Sequence, residues 1–563
     1  MQVLVNHLGY SSGSPKKAIL QGETGAKPLG FSLVNRGGAE IYRGGLQSRG
    51  EAANWKTGCC WSADFSSVKE EGFYRVVVET EGGPVSSDVF EIRDSLLTMR
   101  MISAVGYYFK AQRSSGEWLL CDRNLPFQGD RQGRVDVHGG WYDATGDYGI
   151  HLSHLSHSTV HNPQQIGFSV YTFFKVYELL ESSGNYEYSM VKRRMLDEGG
   201  QGADFLMRMR APGGGFFRSI SRMTALTPVL DHRRVSFEYR RSSGQFSEKA
   251  ATADEETVGD ENYETSLRSG GGLAVAGLAA AGRHFYPGRD YDNGEYILAA
   301  KRAWDHLEAE NEKYTNDGEW NLVDEYCALT ALVELWRSTG EYGYLEKCRN
   351  MYDRIRRRGE ESGGGIRLMV RPGEPYYHAS DEGMPVTAVL QYAGIESDGK
   401  RRAGAIEFCE KIMRRLIQLT DSAANPFGYP RLEYRAGDGT VKQQFFFPHE
   451  SSAAPWWQGE NARLASIAAA ARMLAARTAD SSLAARLETM AQDPLDWIMG
   501  LNPFDSCMIE GYGKNNIQYF FNNRYDFLNC PGGIVNGITS DLEDEEGIGF
   551  ISEPGGPVQD NWR

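Results

Sequence analysis

The chain has 563 residues and a formal net charge of −15, with 60 Lys and Arg residues against 75 Asp and Glu residues. This length exceeds what one small core can use, so two or more domains are expected. An acidic chain is poorly suited to a phosphate backbone or an anionic membrane surface, so we expect neither a nucleic-acid partner nor a membrane partner.

The cysteines and the N-terminal residues indicate the cellular compartment of the protein. The eight cysteines are scattered and form no Cys-x-x-Cys pair, which is a pattern of reduced thiols rather than of a disulfide framework. Residues 1–10 have neither the basic start nor the apolar segment of a signal peptide. No apolar run approaches the roughly 18 residues that a membrane-spanning helix needs. We therefore predict a cytoplasmic protein.

Short strand patterns fill residues 1–94. Segments 3–5, 18–20, 31–34 and 73–78 are apolar or alternate between apolar and polar residues. Clusters of Gly, Ser and Pro separate them, and short strands between frequent turns are typical of an antiparallel sandwich. The sequence therefore predicts an N-terminal β-sandwich domain over residues 1–94.

Helical patterns replace the strand patterns over residues 95–563. Leu329, Leu332, Val333 and Trp336, for example, follow helical spacing, and a glycine at position 340 supplies a stop. About ten or eleven such helices are joined by alternately short and long loops, without a repeat of fixed period. Long loops in a compact domain are usually functional. We predict a mainly α protein whose second domain is an (α/α)6 barrel.

Residues 139–149, Gly-Gly-Trp-Tyr-Asp-Ala-Thr-Gly-Asp-Tyr-Gly, hold the densest group of reactive side chains. Asp143 and Asp147 stand four residues apart, and the aromatic rings of Trp141 and Tyr142 would partly desolvate them. Two close carboxylates repel each other, which raises one pKa unless a cation compensates. Such a pair can orient a water molecule and deprotonate it, which is the general-base half of an inverting glycosidase. A pair of surface carboxylates capping a helix is the alternative.

A series of four histidines follows the aspartates. Their spacing of three, three and four residues would let several imidazoles face one way on a helix and bind zinc. We favour a polar helix face beneath the site, and we predict no metal site and no cofactor, while bound calcium is left open. The histidines are His151, His154, His157 and His161.

Several motifs resemble glycoside hydrolase family nine, whose best-known members are inverting cellulases. The resemblance rests on residues 139–149 and 151–165, where the Asp-Ala-Gly-Asp usual in the family appears with one extra residue as Asp-Ala-Thr-Gly-Asp. Residues 5–10 resemble the start of the immunoglobulin-like domain of the family, and residues 498–504 resemble its helix-end motif. The similarity covers essentially the whole chain and implies an immunoglobulin-like sandwich before the barrel.

The same resemblance implies catalytic roles. Asp147 matches the catalytic base, and Asp143 matches the residue that helps to hold the water. The proton donor of the family is a glutamate near the C-terminus, which in the most similar subgroup follows an Asn-Trp-Arg motif by a few residues. This chain ends with that motif at Arg563, so we expect the acid and the closing helix beyond it. Glu546 and Glu553 are the alternatives within the chain.

The substrate-binding residues follow from resemblance to a smaller subgroup, exo-acting members that release β-glucosamine from chitosan-derived oligosaccharides. Segments 376–382 and 448–461 carry that resemblance, whereas the paired histidines and arginine of the cellulases are not evident near residues 522–524. An acidic side chain can pair with the 2-ammonium group of the sugar, and a tryptophan can stack on its ring. The predicted binding residues are Trp141, Tyr142, Tyr377, His378, Asp381, His449, Trp456 and Trp457.

The predicted function is inverting hydrolysis of β-1,4-linked oligosaccharides, exo-acting on glucosamine oligomers. One alternative is an endoglucanase acting on cellulose-like β-1,4-glucans, and another is a non-catalytic carbohydrate-binding relative. A polysaccharide lyase on the same barrel is a third, but it leaves Asp143 and Asp147 without a role. The partner is an oligosaccharide substrate, and the sequence leaves the oligomeric state open.

Overall fold

The computed structural model describes most of the chain, in ten segments. Within them an N-terminal β-rich part is followed by a helical part, as the sequence predicted. The described residues are 1–52, 54–142, 165–221, 230–236, 259–284, 286–315, 317–448, 459–517, 530–541 and 546–549.

Two antiparallel sheets form the N-terminal sandwich. One sheet has the order β1-β2-β6-β5, and the other has the order β4-β3-β7-β8 with β9 also pairing with β7. Strand β7 alternates, with Tyr74, Val76 and Val78 buried, because successive side chains of a strand face opposite sides of the sheet. The strands are β1 Gln2–Leu4, β2 Lys17–Gly22, β3 Gly30–Asn35, β4 Glu40–Gly44, β5 Gln47–Glu51, β6 Cys59–Asp64, β7 Gly72–Glu79, β8 Val85–Ser86 and β9 Phe90–Ile92.

The described helices of the second domain pack as antiparallel hairpins. The hairpins are α3–α4, α5–α6, α7–α8, α9–α10 and α11–α12, and helices α3, α5, α7, α9 and α11 also pack against one another in that order. The bounds are α1 Leu96–Ala111, α2 Gly116–Cys121, α3 Gln165–Ser182, α4 Ser189–Arg208, α5 Gly272–Ala281, α6 Asn293–Glu310, α7 Leu322–Thr339, α8 Tyr342–Arg357, α9 Met384–Ile395, α10 Gly399–Thr420, α11 Asn461–Ala475 and α12 Ser481–Ile498.

Burial separates an inner layer of helices from an outer layer. All ten residues of α5 are buried, and α7 is buried continuously from Leu322 to Leu335. Small residues let these inner helices approach closely, since a Cβ on Gly277 would lie 2.9 Å from a methyl group of Val170 on α3. Outer helix α8, by contrast, buries only one face. The predicted fold class, an (α/α)6 barrel after an immunoglobulin-like sandwich, is confirmed.

The ends of α7 illustrate how the sequence sets these helices. The Asn321 side chain accepts hydrogen bonds from the backbone N–H groups of Val323 and Asp324, which caps the first turn. Gly340 ends the helix in the left-handed conformation with a φ of 69°, which confirms it as the predicted stop.

Short strands lie in the connections between helices. Strands β14 to β16 precede α9 and strands β17 and β18 precede α11, so the elaborate connections lead into inner helices. These strands are β10 Leu125–Pro126, β11 Arg134–Val135, β12 Ser219–Ser221, β13 Arg234–Ser236, β14 Gly359–Ser362, β15 Gly365–Arg371, β16 Glu374–Pro375, β17 Leu432–Arg435, β18 Val441–Gln444, β19 Thr539–Ser540 and β20 Ile548–Gly549.

Buried polar contacts fix the sandwich to the barrel. Asn6 Nδ2 donates to Asp496 Oδ1 at 2.8 Å, and Lys17 Nζ lies 2.7 Å from Asp493 Oδ1, both aspartates being on α12. Burial raises the pKa of Asp496 to about 7. Among the described residues, no helix is both long and apolar enough to span a membrane.

Candidate active site

The inner helices all begin at the same end of the barrel. Each outer helix returns the chain antiparallel to its inner partner, so α3, α5, α7, α9 and α11 run in one direction. We call the end where they begin the N-terminal face and the opposite end the C-terminal face. Asp143 and Asp147 precede α3 in sequence but lie outside the described residues, as do His449, Trp456, Trp457 and the four histidines.

Trp141 lies in the core, next to the start of the aspartate segment. Its side chain has no exposed surface, its Nε1 donates to Glu198 Oε2 at 3.1 Å, and its ring packs against Phe109 and Phe173. A Cβ on Gly202 would lie 2.3 Å from the indole, so only glycine fits there. This position gives Trp141 a structural role, and its predicted contact with substrate stays a prediction.

Tyr142 is also buried, and hydrogen bonds hold both its backbone and its hydroxyl. Its N–H donates to the Gln112 carbonyl at 2.8 Å, and its hydroxyl oxygen accepts from the Ser115 N–H at 3.3 Å. The chain that enters the aspartate segment is therefore fixed immediately before Asp143.

The segment that precedes α9 brings three of the predicted residues together. Tyr377, His378 and Asp381 are each at most 2% exposed. His378 Nδ1 accepts from the backbone N–H groups of Ser380 at 3.1 Å and Asp381 at 2.9 Å, so in the neutral ring the proton is on Nε2. That Nε2 lies 3.8 Å from Asp381 Oδ2, which is longer than a hydrogen bond, and Asp381 Oδ2 accepts from the Tyr326 hydroxyl at 3.2 Å.

A buried arginine links the starts of α9 and α11. Arg463 Nε donates to Glu382 Oε2, and its Nη1 and Nη2 donate to the Pro430 carbonyl at 3.1 and 2.9 Å. The same Nε lies 3.7 Å from Glu460 Oε1. Glu460 also accepts from two tyrosine hydroxyls, Tyr377 at 2.7 Å and Tyr429 at 2.8 Å. We call Glu382, Glu460, Arg463, Tyr377 and Tyr429 the Arg463 cluster.

The Arg463 cluster has two carboxylates and one cation. Burial raises the pKa of Glu382 to about 7, Arg463 opposes that effect, and Glu460 adds to it. Burial also raises the pKa of Glu460. A cluster with an excess carboxylate can hold a proton or attract a cationic ligand.

Gly383 allows α9 and α11 to start close together, and Gly459 allows the chain at Gly537 to approach the start of α11. A Cβ on Gly383 would lie 2.1 Å from the Ser466 carbonyl oxygen of α11, and one on Gly459 would lie 2.4 Å from the Gly537 nitrogen. The sequence prediction did not include Glu382, Glu460 or Arg463 as site residues. An arginine within the first turn of a largely apolar, alanine-rich helix was the available signal.

The alternative catalytic acids, Glu546 and Glu553, stay predictions. Glu546 is partly exposed, with Oε1 3.9 Å from Arg431 Nη2, and Glu553 lies outside the described residues. In the part of the chain that the structure describes, no three His, Cys, Asp or Glu side chains are grouped to hold a metal ion.

Comparison with protein families matches nearly the whole chain. The model described as "Glycosyl hydrolase family 9" matches residues 100–529, and the model described as "Cellulase N-terminal ig-like domain" matches residues 1–83.

Individual relatives are more distant. A cellodextrinase of Butyrivibrio fibrisolvens is 31% identical over 158 residues, which span 26% of this chain and 27% of that protein. A metagenome-derived family 9 endoglucanase structure is 19% identical, covers 95% of this chain and 90% of its own, and has a TM-score of 0.61. A Bacteroides ovatus structure of the family is 18% identical, with coverages of 95% and 91% and a TM-score of 0.61. At this identity the two structures support the fold alone.

One family model matches well over half of this chain. The chain therefore belongs to glycoside hydrolase family nine and is an enzyme that hydrolyses glycosidic bonds.

Proposed function

We propose that the chain hydrolyses β-1,4-linked glucosamine oligomers with inversion and releases single glucosamine units from the chain end. The observation that carries the amino-sugar assignment is the excess carboxylate of the Arg463 cluster on the N-terminal face of the barrel. The exo mode rests on the resemblance of segments 376–382 and 448–461 to the exo-acting subgroup.

In the proposed reaction, Asp147 is the general base and Asp143 helps to hold the attacking water. The water oxygen bonds to the anomeric carbon from the face opposite the leaving group while its proton passes to Asp147. The bond from the anomeric carbon to the leaving oxygen breaks, and a carboxylic acid protonates that oxygen. A β-linked substrate therefore yields an α-configured product.

The charge of the substrate supports glucosamine over glucose. Glucosamine differs from glucose by an ammonium group at carbon 2, which can form a charge-assisted hydrogen bond with a carboxylate. A buried carboxylate without a full countercharge is costly, so the cluster favours a ligand that brings one positive charge. Glucose brings none.

The second candidate is hydrolysis of cellodextrins or longer β-1,4-glucans. The similarity to a cellodextrinase and to endoglucanases favours it. In that case Glu382 or Glu460 would hold a proton when a neutral sugar is bound.

Product analysis separates the two candidates. The full chain is incubated in parallel with glucosamine trimer and cellotriose, and the products are resolved by chromatography and their anomers by proton NMR. We expect glucosamine as the first small product from the amino sugar, initially as the α-anomer. Products from cellotriose alone would favour the second candidate, and an initial β-anomer would contradict inversion.

A further inference from the structure

Among the described residues, the Glu382 carboxylate accepts a hydrogen bond through one of its two oxygens. Oε2 accepts from Arg463 Nε, whereas Oε1 accepts no hydrogen bond within the described segments. The Glu382 side chain is 11% exposed, while that of Arg463 is fully buried. The unused oxygen therefore lies at the open edge of a buried cluster, on the N-terminal face of the barrel.

The hydrogen bonds of the other charged members of the cluster leave Glu382 as the group that can accept a further hydrogen bond. Glu460 is fully buried and already accepts from the hydroxyls of Tyr377 and Tyr429. The two terminal nitrogens of Arg463 donate to the Pro430 carbonyl. Because the guanidinium is shared in this way, its single charge cannot neutralise both carboxylates.

We propose that Glu382 binds the 2-ammonium group of the substrate through Oε1 and is the residue that selects amino sugars over neutral glucans. This inference rests on the proposed function. Arg463 and Glu460 act as positioning residues, because they hold the Glu382 carboxylate and set the charge around it.

The charge balance explains why an ammonium group suits this position. With both glutamates ionised the cluster carries a net charge of −1, and one ammonium group makes it neutral. In a buried setting such a charge-assisted bond is roughly twice as strong as a neutral one. Without the cation a proton takes its place, in agreement with the pKa of about 7 that burial gives Glu382.

The neighbouring acid, Asp381, is less suited to this role. Its side chain is almost fully buried, and Oδ2 accepts from the Tyr326 hydroxyl at 3.2 Å. It precedes Glu382 directly, so sequence position alone does not distinguish the two acids. Exposure does, because the Glu382 side chain is the one that reaches the surface of the cluster.

The test compares two substrates on the same variant. Glu382→Gln removes the charge at nearly constant shape, and kcat/KM is measured for glucosamine trimer and for cellotriose. The ratio of the two values cancels any loss of folded enzyme. Loss of a charge-assisted hydrogen bond predicts that the ratio falls about 10- to 100-fold.

Glu396→Gln is the matched control. Glu396 is another buried glutamate held by an arginine, with Arg349 Nε at 2.9 Å and Nη2 at 2.7 Å. It follows the last residue of α9, about 18 Å along the helix axis from the first. The substrate ratio of this variant should equal that of wild type. Glu382→Asp, which keeps the charge on a shorter side chain, should retain part of the preference.

The outcomes separate the inference from the proposed function. Wild-type enzyme that cleaves cellotriose alone would overturn the proposed function and this inference with it. Wild-type enzyme that prefers glucosamine trimer, with the same preference in Glu382→Gln, would overturn only the role of Glu382. An equal fall of the ratio in Glu396→Gln would also overturn it, because the effect would then not belong to the N-terminal face.

Discussion

Both faces of the barrel carry buried clusters of glutamates and basic residues, but the two clusters have opposite charge balance. On the C-terminal face, Glu178 near the end of α3 and Glu334 near the end of α7 share three cations, Lys175, Arg283 and Arg337. The contacts include Arg337 Nη2 to Glu178 Oε2 at 2.9 Å and Arg337 Nη1 to Glu334 Oε1 at 3.0 Å. On the N-terminal face, two glutamates share one arginine.

This difference in charge balance changes the pKa values in opposite directions. Burial opposes ionisation in both places, yet His284, Lys175 and Arg283 hold the pKa of Glu178 well below its usual range. In the Arg463 cluster burial prevails and raises the pKa of Glu382 to about 7. A fully compensated network stabilises the fold, whereas an undercompensated one is ready to take up a proton or a cation. We therefore propose that the network on the C-terminal face is structural and that ligand binds on the N-terminal face.

The largest expected effect that separates the faces is catalytic. Asp147→Ala removes the proposed base, so kcat should fall about a thousandfold, as for the loss of a general base. Binding of the oligosaccharide, measured by calorimetry, should be largely preserved. Glu334→Gln on the C-terminal face should keep the kcat of the folded enzyme. Near-wild-type turnover by Asp147→Ala would contradict the assignment of the base.

The second largest expected effect is a loss of folding stability when a residue of the C-terminal face is changed. Glu334→Gln removes a fully buried carboxylate that contacts Lys175, Arg283 and Arg337. Breaking such a buried ion pair should lower the free energy of unfolding by about 3 kcal/mol, measured by urea denaturation. A loss below about 0.5 kcal/mol would show that the network is not a structural one.

The pH dependence of stability should differ between the faces in sign. The folded pKa values of Glu382 and Asp496 are raised to about 7, so the folded state binds more protons and stability falls as the pH rises from about 5 to 7. The lowered pKa values of Glu178 and Glu334 make stability fall as the pH drops below about 4.5. Urea midpoints should therefore be highest at about pH 5 and lower on both sides of it.

The size of the stability loss and its change in a variant make the pH prediction more specific. The loss between about pH 5 and pH 7 should be about 2 kcal/mol for each of the two carboxyls, or about 4 kcal/mol together. Asp496→Asn should reduce it, because the variant has no carboxyl to ionise at that position. A midpoint that rises steadily to pH 7 in wild type would contradict the raised pKa values.

The smallest effect is expected at an exposed ion pair. Lys301 Nζ lies 2.7 Å from Glu341 Oε1, and about half of the Glu341 side chain is exposed. Solvent and salt weaken such pairs, so Glu341→Gln should change the free energy of unfolding by at most about 0.5 kcal/mol. The same urea titration measures it and sets the baseline for Glu334→Gln.

Local patterns predicted the fold because they depend on near neighbours in the chain. The alternation of residues 73–78 predicted β7, and the helical spacing from Leu329 to Trp336 predicted α7 with Gly340 as its end. Few strand patterns were found after residue 94, so the hairpins of residues 359–375 and 432–444 were not predicted. Strand β15 packs on α10, and this tertiary contact leaves little trace in local composition.

The site was predicted less completely, because side-chain direction and distant contacts decide it. Trp141 was chosen for its place beside Asp143, but its ring points into the core against Gly202, 61 residues later. Tyr377, His378 and Asp381 do lie together, as their adjacency suggested. The link from Glu382 to Arg463 joins residues 81 apart, and only packing of α9 against α11 reveals it.

The most direct test of the central claim is the pH dependence of substrate preference in the wild-type enzyme. The ratio of kcat/KM for glucosamine trimer to that for cellotriose is measured between about pH 5 and pH 7. Ionisation of the catalytic base changes both kcat/KM values equally, so it does not change their ratio. Because the pKa of Glu382 is about 7, the ratio should rise about tenfold or more across this range. A ratio that stays constant with pH would contradict a titrating carboxylate that recognises the amino sugar.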